Sequence, residues 1–325
     1  VANPGIGLKS YLQFGREATW GTAVAATKRL NILSQNIRSQ MKQVKDESMT
    51  GSLVARDIVN VGERAEGSIE GYLQYNELLM FLDGLFGTDT YGSSGGVTSG
   101  TNPWTHVFTD RELFNSYTME LIEGNIPSTK CQRILGGKIG SITISGEAAG
   151  IVKYKIDVIG KQKVVNQTPT GALTAATPSY VLTSHSTATS VDGSGDAAAD
   201  QIIKSFEFTM DNSLDASRED AGSSQILEPL RNGLTVARLK LRREFHTISA
   251  LSAYIAATNQ APLLNFTSGS LQFQIEMNTA RLVGEDHGVN SLGIAYQETE
   301  LEAILTSTTG AKITVINTTN STIIS

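Results

Sequence analysis

Strict alternation of apolar and polar residues recurs along this chain, in "SYTMELIEG" (116–124), "KIGSITISG" (138–146), "IVKYKIDVIG" (151–160), "KSFEFTMD" (204–211), "SLQFQIEMN" (270–278) and "AKITVIN" (311–317). Successive side chains of a strand point to opposite faces, so this period of two commits the chain to half-buried sheets. Only two stretches carry a helical period instead. "NELLMFLDGLF" (76–86) opens on Asn76 and repeats Leu78, Leu79, Leu82 and Phe86. "TISALSAYIAATN" (247–259) opens on Thr247, places Ile248, Leu251, Tyr254 and Ile255 on one face, and stops at Asn259. Each joins a capping residue to i, i+3, i+4 spacing, which predicts two helices in a mainly β chain.

With 325 residues, 40% of them apolar and 18% charged, a sizeable core is expected. A net charge of −6 argues against a protein that grips nucleic acid through a basic surface. Cys131 stands alone, which excludes an intramolecular disulfide and favours folding in a reducing compartment. Beside Arg133, it reads as a small, partly buried filler. The most apolar run, "LLMFLDGLFG", is broken by Asp83 and Gly84 and falls short of the roughly 18 residues that cross a bilayer. No n-region or h-region of a signal peptide is visible, and no membrane partner is expected.

The Gly/Ser/Thr stretch 87–103 reads as a surface loop centred on 88–102, and 164–200 as a linker with a variable strand. A shift of about 173 residues lays the first half of the chain over the second in the same order of elements. "RLNILSQNI" (29–37) falls near "IIKSFEFTM" (202–210), and strand-into-helix "GSIEGYLQYNELLMFLDGL" (67–85) on "RLKLRREFHTISALSAYIA" (238–256). "SYTMELIEG" then meets "SLQFQIEMN", and the halves close with 142–160 against 294–317. Identity in this overlay is poor; the agreement is in element type and hydrophobic register. Two fused domains, 1–163 and 164–325, are the expectation.

Catalytic signatures are nearly absent. "GSSGG" (92–96) matches G-x-S-x-G around Ser94 but lacks the strand and helix that motif requires. "DGSGDAAAD" (192–200) and "DNSLDASREDAG" (211–222) resemble calcium loops, yet neither has Gly at its sixth position or Glu at a twelfth. A hydrolase would have to gather residues such as Asp211, His246 and Glu276, which no spacing supports. Trp20, Trp104 and His106 read as packing residues. No catalytic, cofactor-binding or metal-binding residue is assigned, and the chain is not expected to be an enzyme.

The charges in the strands before the two helices are patterned. Arg64, Glu66, Ser68 and Glu70 share one face, with Ala65 and Ile69 on the other. Arg238, Lys240 and Arg242 share a face opposite Ala237, Leu239 and Leu241. Two readings stay open: solvated strand faces, or complementary surfaces in which the Glu66/Glu70 face of one half meets the Arg238/Lys240/Arg242 face of the next around a ring. Each half also pairs two long strands through a polar middle segment, "KQVKDESMTGS" in 34–70 and "DASREDAGSSQ" in 204–245. A monomer would leave the edges of such strands open, and ring closure removes them. Lys45, Asp46 and Glu47, and Arg218, Glu219 and Asp220, are candidates for contacts with an adjacent ring.

"EATWGT" (17–22), inside "REATWGTAVAATKRLNIL", resembles the element that precedes the first core strand in the major tail tube proteins of long-tailed, siphovirus-like bacteriophages. "LVARDIVNVGERAEGSIEGYLQYNELLMFLDGLFG" (53–87) resembles that family's long hairpin return strand and following helix. "NPWTHVFTD", "NSYTMELIEGN" and "GGKIGSITISGEAAGIVKYKIDVIGK" resemble the segments after it. The likeness covers most of 10–163 and, by element order, the second half. It implies β-sandwich or barrel domains, each with a flanking helix and a lumen-lining hairpin. It further implies a homo-oligomeric ring, either six single-domain copies or, as the overlay favours, a trimer of fused copies with pseudo-sixfold symmetry. Stacked rings would form a virion tube assembled in the host cytoplasm. DNA would pass through it without specific binding, a tape measure protein and a tail terminator would be partners, and no cofactor would be needed. A tail terminator or tail-tip protein, or a secreted β-sandwich adhesin, are the alternatives.

Overall fold

The computed structural model describes residues 6–49, 54, 56–77, 79–87, 89–93, 104–109, 112, 114–124, 131–171, 173–175, 177–190, 202–245, 248–288, 294–304 and 310–317. Leu78, Ser94, His246, Thr247 and the acidic stretch 192–200 lie outside them.

The fold is mainly β. The chain opens with β1 (Ile6–Arg16), β2 (Lys28–Leu30), β3 (Ser34–Gln35), β4 (Arg38–Lys45) and β5 (Ile58–Tyr72), then enters α1 (Leu79–Phe86). There follow β6 (Asp89–Ser93), β7 (Trp104–Thr109), β8 (Tyr117–Gly124), β9 (Cys131–Glu147), β10 (Lys153–Gly160) and β11 (Gln162–Gln167). The second half holds β12 (Ser186–Ser190), β13 (Ile203–Asp211), β14 (Val236–Glu244) and α2 (Ser249–Ile255). It ends with β15 (Leu263–Ser268), β16 (Leu271–Met277), β17 (Ala280–Gly288), β18 (Tyr296–Ala303) and β19 (Ala311–Asn317). All six alternating segments are strands. The expected loop 88–102 is a strand over Asp89–Ser93, which pairs with β7; the rest of it is outside the described residues.

Two antiparallel sheets result, and neither closes into a barrel among the described residues. The larger runs β17-β18-β14-β13-β9-β10-β5-β3, with β4 extending the β5 pairing. The smaller runs β12-β15-β16-β19-β7-β6. β9 belongs to two layers. Its second part pairs with β10 and β13, while its first part pairs with β8 and β11 and leads to β1 and β2. Gly136 at the turning point has φ +67, a conformation that costs a glycine little. The expected boundary at 163/164 falls inside β11.

"EATWGT" is a staple at that bend. Glu17, almost fully buried, accepts hydrogen bonds from Gly21 N (2.8 Å), Gly136 N (2.9 Å), Ser116 Oγ (2.9 Å) and Thr118 Oγ1 (2.8 Å). Trp20 Nε1 donates to Gly136 O at 3.0 Å, and Lys161 Nζ lies over the indole. A carboxylate with every lone pair engaged is the way a buried charge is tolerated.

α1 is apolar apart from Asp83 and is buried on every side. Phe81 stacks on Phe14 at 5.1 Å and packs near Tyr154. Asp83, inside it, accepts from Tyr117 Oη (2.8 Å) and Asn115 Nδ2 (2.9 Å). The helix starts at Leu79 rather than at Asn76, which lies in a turn. α2 departs further from expectation. It spans Ser249–Ile255 instead of 247–259, its N-cap position is Ile248 with no side-chain hydrogen bond, and Ala257 ends it at φ +49. Its apolar face is only partly covered: Ala250 is buried and Leu251 half-buried, whereas Ile248 and Ile255 are 66% and 76% exposed. Cys131 and His106 are buried, the former with its thiol pKa pushed up by burial.

Candidate functional site

One face of the large sheet packs on the core through Ala65, Ile69, Ile142, Ile144, Ile156, Phe208, Leu239 and Leu241. Alternation therefore sends the polar residues of the same strands to the opposite, open face. Register places them in rows. Glu302, Arg238, Thr209, Thr143, Lys155 and Glu70 lie opposite one another across β18, β14, β13, β9, β10 and β5. Glu300, Lys240, Glu207, Ser145, Lys153 and Tyr72 form the next row. A depression of about 1100 Å³ opens over this face, lined by Glu207, Lys240, Arg242, Glu298, Glu300 and Lys153 among others, so the face is concave.

The charges on it are of both signs, and those of β14 are paired. Arg238 pairs with Glu302 at 2.9 Å and Glu300 at 3.6 Å, Arg242 with Glu298 at 3.5 Å, and Lys240 with Glu207 at 3.9 Å. Arg64 pairs with Glu66 at 2.9 Å on β5. Exposed pairs of this kind stabilise a fold by only about 0–1 kcal/mol each. Their consequence is electrostatic: anions lie beside the cations of β14 at distances shorter than a Debye length of about 8 Å, so β14 presents no unscreened positive patch.

All six candidate face residues thus lie on the strands expected, β5 and β14. Glu66 and Glu70 do not meet Arg238, Lys240 and Arg242 within the chain, because β10, β9 and β13 stand between. The two middle segments behave differently. Lys45 ends β4, and Asp46 follows it at the surface, where bonds from Ser48 hold its carboxyl below the usual range. Glu47 is exposed beside them. Residues 212–235, by contrast, fold back over the first half. Ser224 O accepts from Glu63 N at 2.7 Å, Glu219 pairs with Lys42 at 2.7 Å, and Arg218 donates to Glu228 O. Asp220 closes a turn through Ser223 N at 3.1 Å. Lys138, 2% exposed, donates to Pro229 O at 3.1 Å and pairs with Glu228 at 2.7 Å. Sequence reasoning missed Lys138, which reads there as an ordinary strand-end lysine.

Asp211 and Glu276 sit in different sheets, where Asp211 accepts from Ser213 N and Glu276 pairs with Lys312. The 211–222 stretch forms turns in which Asp215 accepts from Ser217 N and Oγ. Among the described residues no group of three or more His, Cys, Asp or Glu could hold a metal ion.

Among the described residues both ends of the large sheet are largely open. There β17 pairs with β18 along its length and otherwise only at Ala280, with Gln260, while β3 and β4 pair only with β5. Every residue of β4 is exposed. A mainly β chain with a concave face of mixed charge and two largely unpaired edges has the equipment of a wall segment. A family model described as phage tail tube protein matches residues 7–315. The chain belongs to the phage tail tube proteins. No curated protein matches it. As a tail tube protein it is a structural component of the virion, and both halves, with the junction between them, fall inside the family match. No helix among the described residues is long and apolar enough to cross a membrane.

Proposed function

We propose that three copies of this tail tube protein close side by side into a ring, that rings stack into the tube, and that DNA passes through the lumen lined by the concave face. One observation carries the reading: the strand order β4-β5-β10-β9 recurs as β13-β14-β18-β17, and the two sets are joined by antiparallel pairing of β9 with β13. This supports fused repeats divided near 163/164, with β9–β10 the counterpart of β17–β18 rather than of the later strands that the sequence overlay aligns. The free edges, β17 and β3/β4, are then the counterparts of the two strands already joined. A second copy would complete at β17 the pairing that the chain makes internally. Such a contact is head to tail and closes a ring when the rotation allows.

Strand geometry favours three copies over two. Eight strands per chain make twenty-four in a trimer. At about 4.8 Å spacing and about 40° tilt, that gives a backbone radius of about 24 Å, and about 18 Å inside the side chains. Two copies would leave about 10 Å, no more than the duplex itself occupies. A face with paired cations and more acids than bases suits transit, since a basic lumen would hold phosphates and exchange counterions at each one. In this reading a tape measure protein would occupy the lumen before ejection, and a terminator would cap the last free ring.

Electron microscopy of the purified protein with rotational averaging tests this. Rings or tubes with threefold symmetry and six similar lobes are expected. Strict sixfold symmetry, from six copies, would remove the fused-repeat argument. Monomers that persist at any concentration, with no rings at all, would overturn the closure.

A further inference from the structure

The described residues of the chain leave part of the apolar stripe on α2 uncovered. Ile248 and Ile255 are exposed at i and i+7, Leu251 is half-buried between them at i+3, and Tyr254, 42% exposed, borders them. The helix packs on β17, the free edge of the large sheet, so whatever pairs with that edge arrives beside the stripe. At the other end of the sheet, the β4–β5 arm exposes Met41, Val44, Ile58, Val59 and Val61, with Val44 directly opposite Val59. Two uncovered apolar surfaces thus flank the two open edges of one molecule. Contiguous exposed apolar surface of this kind marks an interaction site.

The internal junction indicates what covers α2. There, α1 is closed over by the chain that leaves β13: Asn212 Nδ2 donates to Leu85 O at 2.6 Å in the last turn of α1, and Asn212 N donates to Gly140 O at 2.9 Å. Arg231, farther along the same connection, lies over Phe114. The counterpart of that connection in the first half is the β4–β5 arm, since β4 and β13 each pair with the strand that leads into a helix. We infer that the exposed stripe of α2 is the seat of the β4–β5 arm of a second copy of this chain. The inference rests on the ring reading above and adds a specific contact to it: apolar side chains of the arm cover Ile248, Tyr254 and Ile255 when β17 accepts the neighbouring edge.

The test uses the full chain in two variants, since the substituted side chain is exposed and both monomers should fold. Ile255→Asp should raise the protein concentration needed for tube formation at least about tenfold, with far-UV circular dichroism of the monomer unchanged. Ile255→Cys provides a probe, because the single native cysteine, Cys131, is buried. Its maleimide labelling should be rapid in monomers and slowed at least about tenfold in tubes, and a heterobifunctional cross-linker attached there should capture residues 38–61 of another copy. Tubes that form normally with Ile255→Asp, or in which the thiol introduced by Ile255→Cys is still freely labelled, would overturn the seat while sparing the ring. Cross-links to any other segment would do the same. Wild-type protein that never forms rings would remove the ring reading first and this contact with it.

Discussion

The two helices follow the same kind of strand and yet end in opposite environments. α1 is enclosed by β9, β7 and the chain after β13, while α2 rests on an edge strand and turns Ile248 and Ile255 to solvent. The two connections differ in the same sense: 212–235 lies down on the first half, whereas the β4–β5 arm projects with its apolar residues uncovered. Everything at the junction inside the chain is filled, and everything at its two ends is open. An unfinished surface in a mainly β chain is an aggregation hazard unless a partner is meant to cover it. On the ring reading proposed above, the difference between the halves marks where neighbouring copies would sit.

The comparison breaks most sharply by truncating matched residues. Phe81→Ala empties a site stacked on Phe14 and should cost about 3–5 kcal/mol in the monomer. Ile255→Ala should change it by no more than about 0.5 kcal/mol. Urea unfolding of both variants under conditions that keep the protein monomeric checks this, and similar losses would mean that α2 is buried in solution. Next in size, Glu17→Ala leaves Gly21 N, Gly136 N, Ser116 Oγ and Thr118 Oγ1 without their acceptor. Orphaned buried donors put the loss at about 3 kcal/mol. No such staple is found among the described residues of the second half, so hydrogen exchange should rise first in β8 and the first part of β9.

Much of this was legible in the sequence, for reasons that also mark where legibility stops. Period-two segments became strands because each has a core on one side only, and the same parity put Arg64, Glu66, Glu70, Arg238, Lys240 and Arg242 on one face. "ARLVGEDHG" (280–288) carries no comparable alternation, since an edge strand with little behind it is under weaker demand, and β17 went unread. The joining of β9 to β13 links residues 58 to 70 positions apart, and no local pattern encodes such a pairing. For α2 the periodicity identified an apolar stripe correctly. Nothing in a period says whether the chain's own core or another molecule covers it. Trp20 and "EATWGT" were conspicuous, but the bend is held by Glu17, whose burial depends on Ser116, Thr118 and Gly136 arriving from distant strands.

The smallest effect sharpens the comparison at the helix entrances. Ile248 leads into α2 from solvent, whereas Glu77, just before α1, is enclosed enough that burial pushes its carboxyl up to about 7, against the opposing pull of a backbone bond at Asn31 and the charge of Arg29. Its side chain accepts from Gln74 Nε2 at 2.8 Å. A carboxyl whose folded pKa lies above its unfolded value of 4.5 binds more protons in the folded state between those limits. It therefore favours folding below pH 4.5 relative to alkaline pH, and that advantage drains away as pH rises toward about 7. Removing the titration should invert the difference: Glu77→Gln should gain Tm over wild type as pH is raised from about 5 to about 8, and the gap should then stay flat. Taking the difference between the two proteins cancels the other carboxylates, which titrate in both. A gap independent of pH would mean that the entrance to α1 is as wet as that of α2, and the contrast between the two halves would hold only for the helices themselves.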